Sequence, residues 1–221
     1  MTGALFFSLS RGGVLSFLLG LMLFGLLRLT RRRGEGRRAV WTITLAAMAG
    51  MILWLGIAPL FMRLEEIAYG TDALTWAGRL PVSQATWEMS KDFPLFGVGY
   101  EAFAVIFPRY QPAAQIHLQY LQAHNDFFQL LAETGWVGCV LLVGGVLRLV
   151  ADIVKQWRAR YDPFVQAMVP AGVAALSAMA LHSLVDFNLH IPANALLFTA
   201  VLALTFACTN LPHGSSVRRE V

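Results

Sequence analysis

The sequence predicts an all-α, polytopic membrane protein with about five transmembrane helices and one long helical loop on the outer side. Three observations predict it. The chain is 57% hydrophobic and only 14% charged over 221 residues, whereas soluble domains carry about 25% charged residues. Its mean hydropathy is +0.59, and several apolar runs approach the roughly 20 residues that cross a bilayer as a helix. Those runs are continuous rather than alternating. Backbone groups in lipid must be satisfied internally, so helices are expected and a barrel is not.

The elements follow in order. Residues 4–9 are apolar but too short to span, and read as the end of a helix whose beginning is absent. A first span covers 14–29. Six arginines then fall between Arg28 and Arg38, and this cluster is assigned to the cytoplasmic side by the positive-inside rule. A second span runs from about 39 to 62. Between 63 and 135 lie eight acids against four bases, an excess that suits the outer side. The third span, about 136–154, returns inward at Lys155, Arg158 and Arg160. The fourth covers 164–185. A short outer turn at 186–192 leads to a fifth that ends near Cys208, and the tail carries Arg218 and Arg219. Four segments result: a first transmembrane part at 1–62, the outer loop at 63–135, a second transmembrane part at 136–210 and a cytoplasmic tail at 211–221.

Within the loop, GRLPVSQATWEMSKDFP reads as an amphipathic helix stopped by Pro94, and LFGVGYEAF as a Gly-rich turn entering a short helix. Residues 115–133 read as a longer helix. On it Gln115, Gln119, Gln122, Asp126, Gln129 and Glu133 form a polar stripe, while His117, Tyr120, Leu121, His124, Phe128 and Leu131 take the opposite face.

The net charge of +4 comes largely from the arginine cluster between two spans. No aromatic residues interleave it, so nucleic-acid binding is not expected. Cys139 and Cys208 lie in apolar spans without metal-ligand spacing and imply no disulfide framework.

Candidate chemistry gathers at the outer boundary. The run His124-Asn125, nine residues, Gly135-x-x-Gly138 closes the polar loop where an apolar span begins. Imidazole is the side chain best suited to proton transfer near neutral pH; a histidine on an apolar helix face is equally a hydrogen-bonded core residue. Arg11 sits at the outer end of the first span, where the positive-inside rule does not account for it. It reads either as a snorkelling arginine or as a clamp for an anionic head group, since guanidinium forks onto phosphate oxygens. Arg79 opens the first loop helix, as a surface charge or a second clamp. His182 and Asp186 are four apart and can pair; with Asn188 and His190 they form a polar network ending a helix, or a metal site. The two glycines allow close helix packing.

Four segments together resemble the bacterial O-antigen ligase and polymerase family: SLSRGG at 8–13, GRLPVSQATWEMSKDFPLFGVGYEAF at 78–103, AHNDFFQLLAETGWVG at 123–138 and HSLVDFNLHIPANALLF at 182–198. The resemblance implies a multi-pass protein of the bacterial inner membrane. Its activity would move a glycan from undecaprenyl diphosphate to an acceptor hydroxyl, such as one on the lipid A core, at the periplasmic face. It implies no nucleotide, metal or other cofactor. By position, His124 is the general base or acceptor-orienting residue and Arg11 and Arg79 are the diphosphate ligands. Asn125 orients His124 or binds a sugar, and Arg109, His182 and Asp186 are further substrate contacts. The alternatives are a polysaccharide polymerase on the same scaffold and an inactive membrane remnant. Family members carry more spans, so a preceding half or a partner subunit is expected to complete this chain.

Overall fold

The computed structural model describes residues 11–30, 76–113 and 117–210, together with helical residues at 39, 41–46 and 49–50; the second predicted span and the ends of the chain fall largely outside them. The described residues are helical without strands. In chain order the elements are α1 (Arg11–Leu29), α2 (Trp76–Asp92), α3 (Phe103–Ile106), a 3-10 turn (Phe107–Arg109), α4 (Asp126–Ala159), α5 (Pro163–His182), a second 3-10 turn (Asn188–His190) and α6 (Pro192–Asn210). Four of these helices, α1, α4, α5 and α6, are long and apolar enough to cross a membrane.

Helices α1 and α5 pack antiparallel through small residues. Gly12 lies against His182 and Val185, and Gly20 against Ala174 and Ala178. At the far end Arg28 Nη1 donates to the Gln166 carbonyl at 2.7 Å. Gly172 similarly lets Thr205 of α6 approach α5. Small residues permit this backbone approach, which supplies the dispersion energy that lipid-embedded helices depend on. Ile153, Trp157, Val165, Val169 and Val173 form a core at the arginine-rich end, joined by Leu27, Leu202 and Cys208. Arg11 and the 182–191 turn therefore sit at the end of the α1–α5 pair opposite Arg28.

The loop builds a second core of its own. Val82, Ala85 and Met89 of α2 meet Phe103, Phe107, Ala123 and Ala132, with the Phe103 and Phe107 rings stacked at 4.6 Å. The predicted α2 ends at Asp92 before Pro94, and the Gly-rich turn and short α3 follow as expected. The predicted helix at 115–133 is different. Residues 117–125 form turns and irregular chain, and α4 starts only at Asp126. Asn125 caps it, its Oδ1 accepting from the Phe127 and Phe128 N–H groups at 3.0 Å each. Side-chain capping stops the helix from extending backward, because Asn125 must leave helical geometry to reach those donors; its φ and ψ are −156° and 106°.

The polar stripe is also displaced. Asp126, Gln129 and Glu133 do share a face, but that face is buried. Gln129 donates to Gln122 and, at 3.1 Å, to Glu133 Oε1. Its own Oε1 accepts the Ala123 N–H at 2.8 Å. Gly135 breaks α4 with φ 64° and ψ −173°. Rather than a helix–helix contact, it makes a backbone crossing: a methyl on Gly135 would collide with the Leu95 carbonyl, and one on Gly97 with the Glu133 carbonyl. The transmembrane part of α4 restarts at Trp136, where the apolar run begins.

Candidate functional site

His124 stands at the corner between the loop and α4. Its φ of 54° places it in the left-handed region, where histidine is tolerated better than most side chains but still costs energy. Bonds on both sides hold it there. Ala123 is tied to Gln129, the Asn125 Nδ2 donates to the Leu184 carbonyl at 2.7 Å, and the Asp126 N–H donates to the Ser183 carbonyl at 2.9 Å. The corner is thus stapled to the turn that leaves α5.

That turn brings the other side chains. Asp186 Oδ1 lies 3.9 Å from His124 Nδ1, and its Oδ2 lies 3.9 Å from His182 Nε2. Phe187 presents its ring edge-on to His124, with centroids 5.2 Å apart. Arg79 reaches the same turn from α2, its Nη1 donating to the Val185 carbonyl at 2.9 Å. Burial pushes the Asp186 carboxyl up, but His124, the Phe187 N–H and the charges of Arg79 and His182 outweigh it and hold it below the usual carboxylate range. Asp186 is thus a carboxylate at neutral pH. Arg79 Nε, His124 Nδ1 and Ser183 Oγ are buried here with no hydrogen-bond partner, the Asp186 carboxylate standing 3.9 Å from His124 Nδ1.

The sequence candidates therefore fall into three groups. Arg79, His124, His182 and Asp186 converge on one turn. Arg11 belongs with them through its backbone, because its neighbour Gly12 packs on His182 and Val185; its side chain lies outside the described ones. Asn125 is present but occupied as a helix cap and staple. Arg109 is exposed at the end of the first 3-10 turn, next to Tyr110, whose hydroxyl donates to Asp92 at 2.5 Å, and no contact joins it to the cluster among the described residues.

Sequence reasoning missed what supports this corner. His190 Nδ1 lies 2.5 Å from Asp126 Oδ1, and its Nε2 lies 3.8 Å from Glu133 Oε2. All three side chains are nearly inaccessible, at 6%, 5% and 1% exposure. Asp126 Oδ2 also accepts the Leu189 N–H at 2.8 Å, and Glu133 Oε2 accepts the Glu101 N–H at 3.1 Å. Burial opposes the charge on His190, but the two carboxylates overcome it and push its pKa up to about 9. Tyr100 stacks over the ring at 6.5 Å. The available signal was the spacing of Asp126 and Glu133 on one helical face, a polar stripe that the fold buries. Among the described residues no group of three or more His, Cys, Asp or Glu side chains is arranged to hold a metal ion.

Alongside the corner runs an open groove of about 870 Å³, lined by Leu80, Pro81, Gln84, Trp87, Pro112 and Phe128 among others. It begins at the residue after Arg79, and the Trp87 and Phe128 rings lie 6.1 Å apart within it.

Four helices long and apolar enough to cross a membrane, with a cationic and imidazole-bearing corner at one end of the bundle, define a multi-pass membrane protein. The O-antigen ligase family matches residues 1–143, and the chain belongs to that family. Membership makes it a glycosyltransferase-like membrane enzyme of the ligase or polymerase type, whose family implies a lipid-linked glycan. The match contains Arg11, Arg79 and His124; His182, Asp186 and His190 lie beyond it. No curated protein matches the chain.

Proposed function

We propose that this protein is an O-antigen ligase, moving a glycan from undecaprenyl diphosphate to a hydroxyl of the lipid A core at the periplasmic face of the bacterial inner membrane. In the step proposed, the acceptor oxygen attacks the anomeric carbon of the glycan. The bond from that carbon to the diphosphate oxygen breaks, and the electron pair leaves with undecaprenyl diphosphate. The acceptor proton passes to His124.

The observation that carries this reading is the buried Arg79 Nε, a donor without a hydrogen-bond partner, beside the turn that also carries the Asp186 carboxylate facing His124. A buried donor without a partner costs about 1–3 kcal/mol, so a ligand that supplies the partner recovers that energy. Arg79 offers its Nε to a diphosphate oxygen while its Nη1 remains anchored on Val185. Arg11, at the adjacent end of α1, adds a second guanidinium. Charge on the leaving diphosphate grows as the bond breaks, so fixed guanidinium groups favour the transition state over the ground state. Asp186 attracts the proton of His124 onto Nδ1, leaving Nε2 as the base, as a carboxylate orients imidazole in other general-base sites. The Trp87 and Phe128 rings of the groove offer apolar faces to the sugar.

The test is expression of variants in a strain that lacks its own copy of the gene. His124→Ala and Arg79→Ala are expected to lower glycan on the lipid A core by about 10²–10³-fold. Lipid-linked glycan should accumulate, and the amount of protein in the membrane should be unchanged. Normal capping in both variants would refute the assignment. A change in the number of repeat units on the carrier, with capping intact, would identify a polymerase instead.

A further inference from the structure

The segment Phe93-Pro94-Leu95-Phe96 carries no charge and is not covered by the protein: Phe93, Leu95 and Phe96 are 39%, 61% and 73% exposed. In a water-facing loop such a cluster would be costly and prone to association. Its height relative to the bilayer follows from the backbone. The break at Gly135 restarts α4, so the first N–H groups of the transmembrane part have no partner within the helix. They are satisfied by this segment: the Trp136 N–H donates to the Pro94 carbonyl at 2.8 Å and the Val137 N–H to the Leu95 carbonyl at 3.2 Å. On the other side of the crossing, Val98 and Gly99 donate to the Ala132 and Glu133 carbonyls at 3.0 and 2.9 Å. The crossing of Gly97 and Gly135 leaves no room for a Cβ on either strand, so the segment cannot slide along α4.

Leu95 and Phe96 are therefore held level with Trp136 and Val137, the first residues of a span that exposes Val140 and Leu141 at 64% and 70%. That face of α4 is already lipid-facing, and the loop cluster continues it. Trp136 and Tyr100, both more than half exposed, add the aromatic ring types that settle at the head-group level.

We propose that residues 93–96 form a membrane wedge, a lipid-binding surface seated in the acyl-chain boundary of the outer leaflet. It fixes the loop subdomain, and with it His124, at the height of the lipid head groups. A water-soluble surface at this place would leave the first turn of a transmembrane helix capped by solvated chain. The wedge instead caps it with carbonyls on one side and buries its own side chains in lipid.

The test uses the full chain with Cys139→Ala and Cys208→Ala, reconstituted in phospholipid nanodiscs and labelled with a nitroxide at single introduced cysteines. Leu95→Cys and Phe96→Cys are compared with Val140→Cys, which reports the acyl region, and Glu88→Cys, an exposed position of α2 beside Lys91. Relaxation by oxygen and by a soluble nickel chelate reads depth. The expected result is that both wedge labels resemble position 140, with oxygen access at least three times that of nickel, while position 88 shows the reverse. Nickel access at 95 and 96 equal to that at 88 would overturn the proposal. So would exclusion of both reagents, which would mean that protein covers the segment. Position 140 verifies insertion in the same preparation. The reading is independent of glycan transfer, so its failure would leave the assignment of His124 untouched.

Discussion

The two halves of α4 obey opposite rules. Before Gly135 the helix buries its polar side chains: Asp126, Gln129 and Glu133 are at most 4% exposed. After Gly135 it exposes its apolar ones, with Val140, Leu141, Leu142 and Leu147 all more than half accessible. Gly144 and Gly145 in that half have open space where a side chain would stand. One helix thus crosses between two solvents. On the aqueous side the hydrophobic effect drives packing, and buried polar groups must be paired. In lipid, apolar exposure costs nothing and association depends on close contact. The left-handed Gly135 marks the change, and the glycan chemistry proposed here lies about three turns before it.

The largest effect is expected at that boundary itself. Gly135→Ala would place a Cβ against the Leu95 carbonyl and force a left-handed φ on alanine. A cost of about 3 kcal/mol or more follows from the backbone strain and the clash together. The expected outcome is loss of folded protein, read by size-exclusion profile and thermal unfolding in detergent. Normal folding would show that the break is not needed to join the two halves.

The buried polar half is tested next. His190→Ala removes the cation from two buried carboxylates, and breaking such a pair costs about 3–5 kcal/mol. The same residue predicts a pH dependence. Its pKa is about 9 in the folded protein, above the ordinary value near 6.5. A raised pKa means that the stabilisation is complete below about pH 6.5 and is lost as pH rises through 9. Thermal unfolding from pH 6 to 10 should therefore show a fall in wild type between about pH 6.5 and 9, levelling off above 9, that His190→Gln lacks. Parallel curves for the two would exclude His190 as the titrating latch.

His124→Ala should separate activity from stability. It removes a ring that is 20% exposed and leaves alanine in the same left-handed conformation, so the unfolding midpoint should move by an amount equivalent to about 1–2 kcal/mol. Transfer should fall by the 10²–10³-fold given above. A midpoint loss as large as that of His190→Ala would make His124 part of the latch rather than the reacting group. The smallest effect belongs to the lipid-facing half: Leu141→Ala should change stability by about 0.5 kcal/mol or less, in contrast to the 2–5 kcal/mol of a buried leucine. A large loss there would mean that protein, not lipid, covers this face.

Much of this architecture was legible in the sequence. Apolar run length placed α1, α4, α5 and α6, since no other arrangement satisfies twenty backbone groups in lipid. Pro94 ended α2, and the arginine cluster marked one end of the bundle. Arg79, His124, His182 and Asp186 were recognisable because charged and imidazole side chains at a bilayer boundary have few structural reasons to be there. Periodicity over 115–133 misled, however. Asparagine at 125 has a poor helix propensity but an excellent capping side chain, and a one-dimensional pattern does not distinguish a helix interior from an N-cap. Only the tertiary structure decided what the polar stripe faces. Asp126 and Glu133 meet a histidine more than fifty residues away, and their burial depends on that charge arriving. It likewise decided that Gly97 and Gly135 meet, because a backbone crossing needs two positions without a Cβ and the sequence records each one separately. The spans follow from hydropathy, which is local. The corner that holds His124 follows from distant partners, whose contribution exists only once the chain has closed.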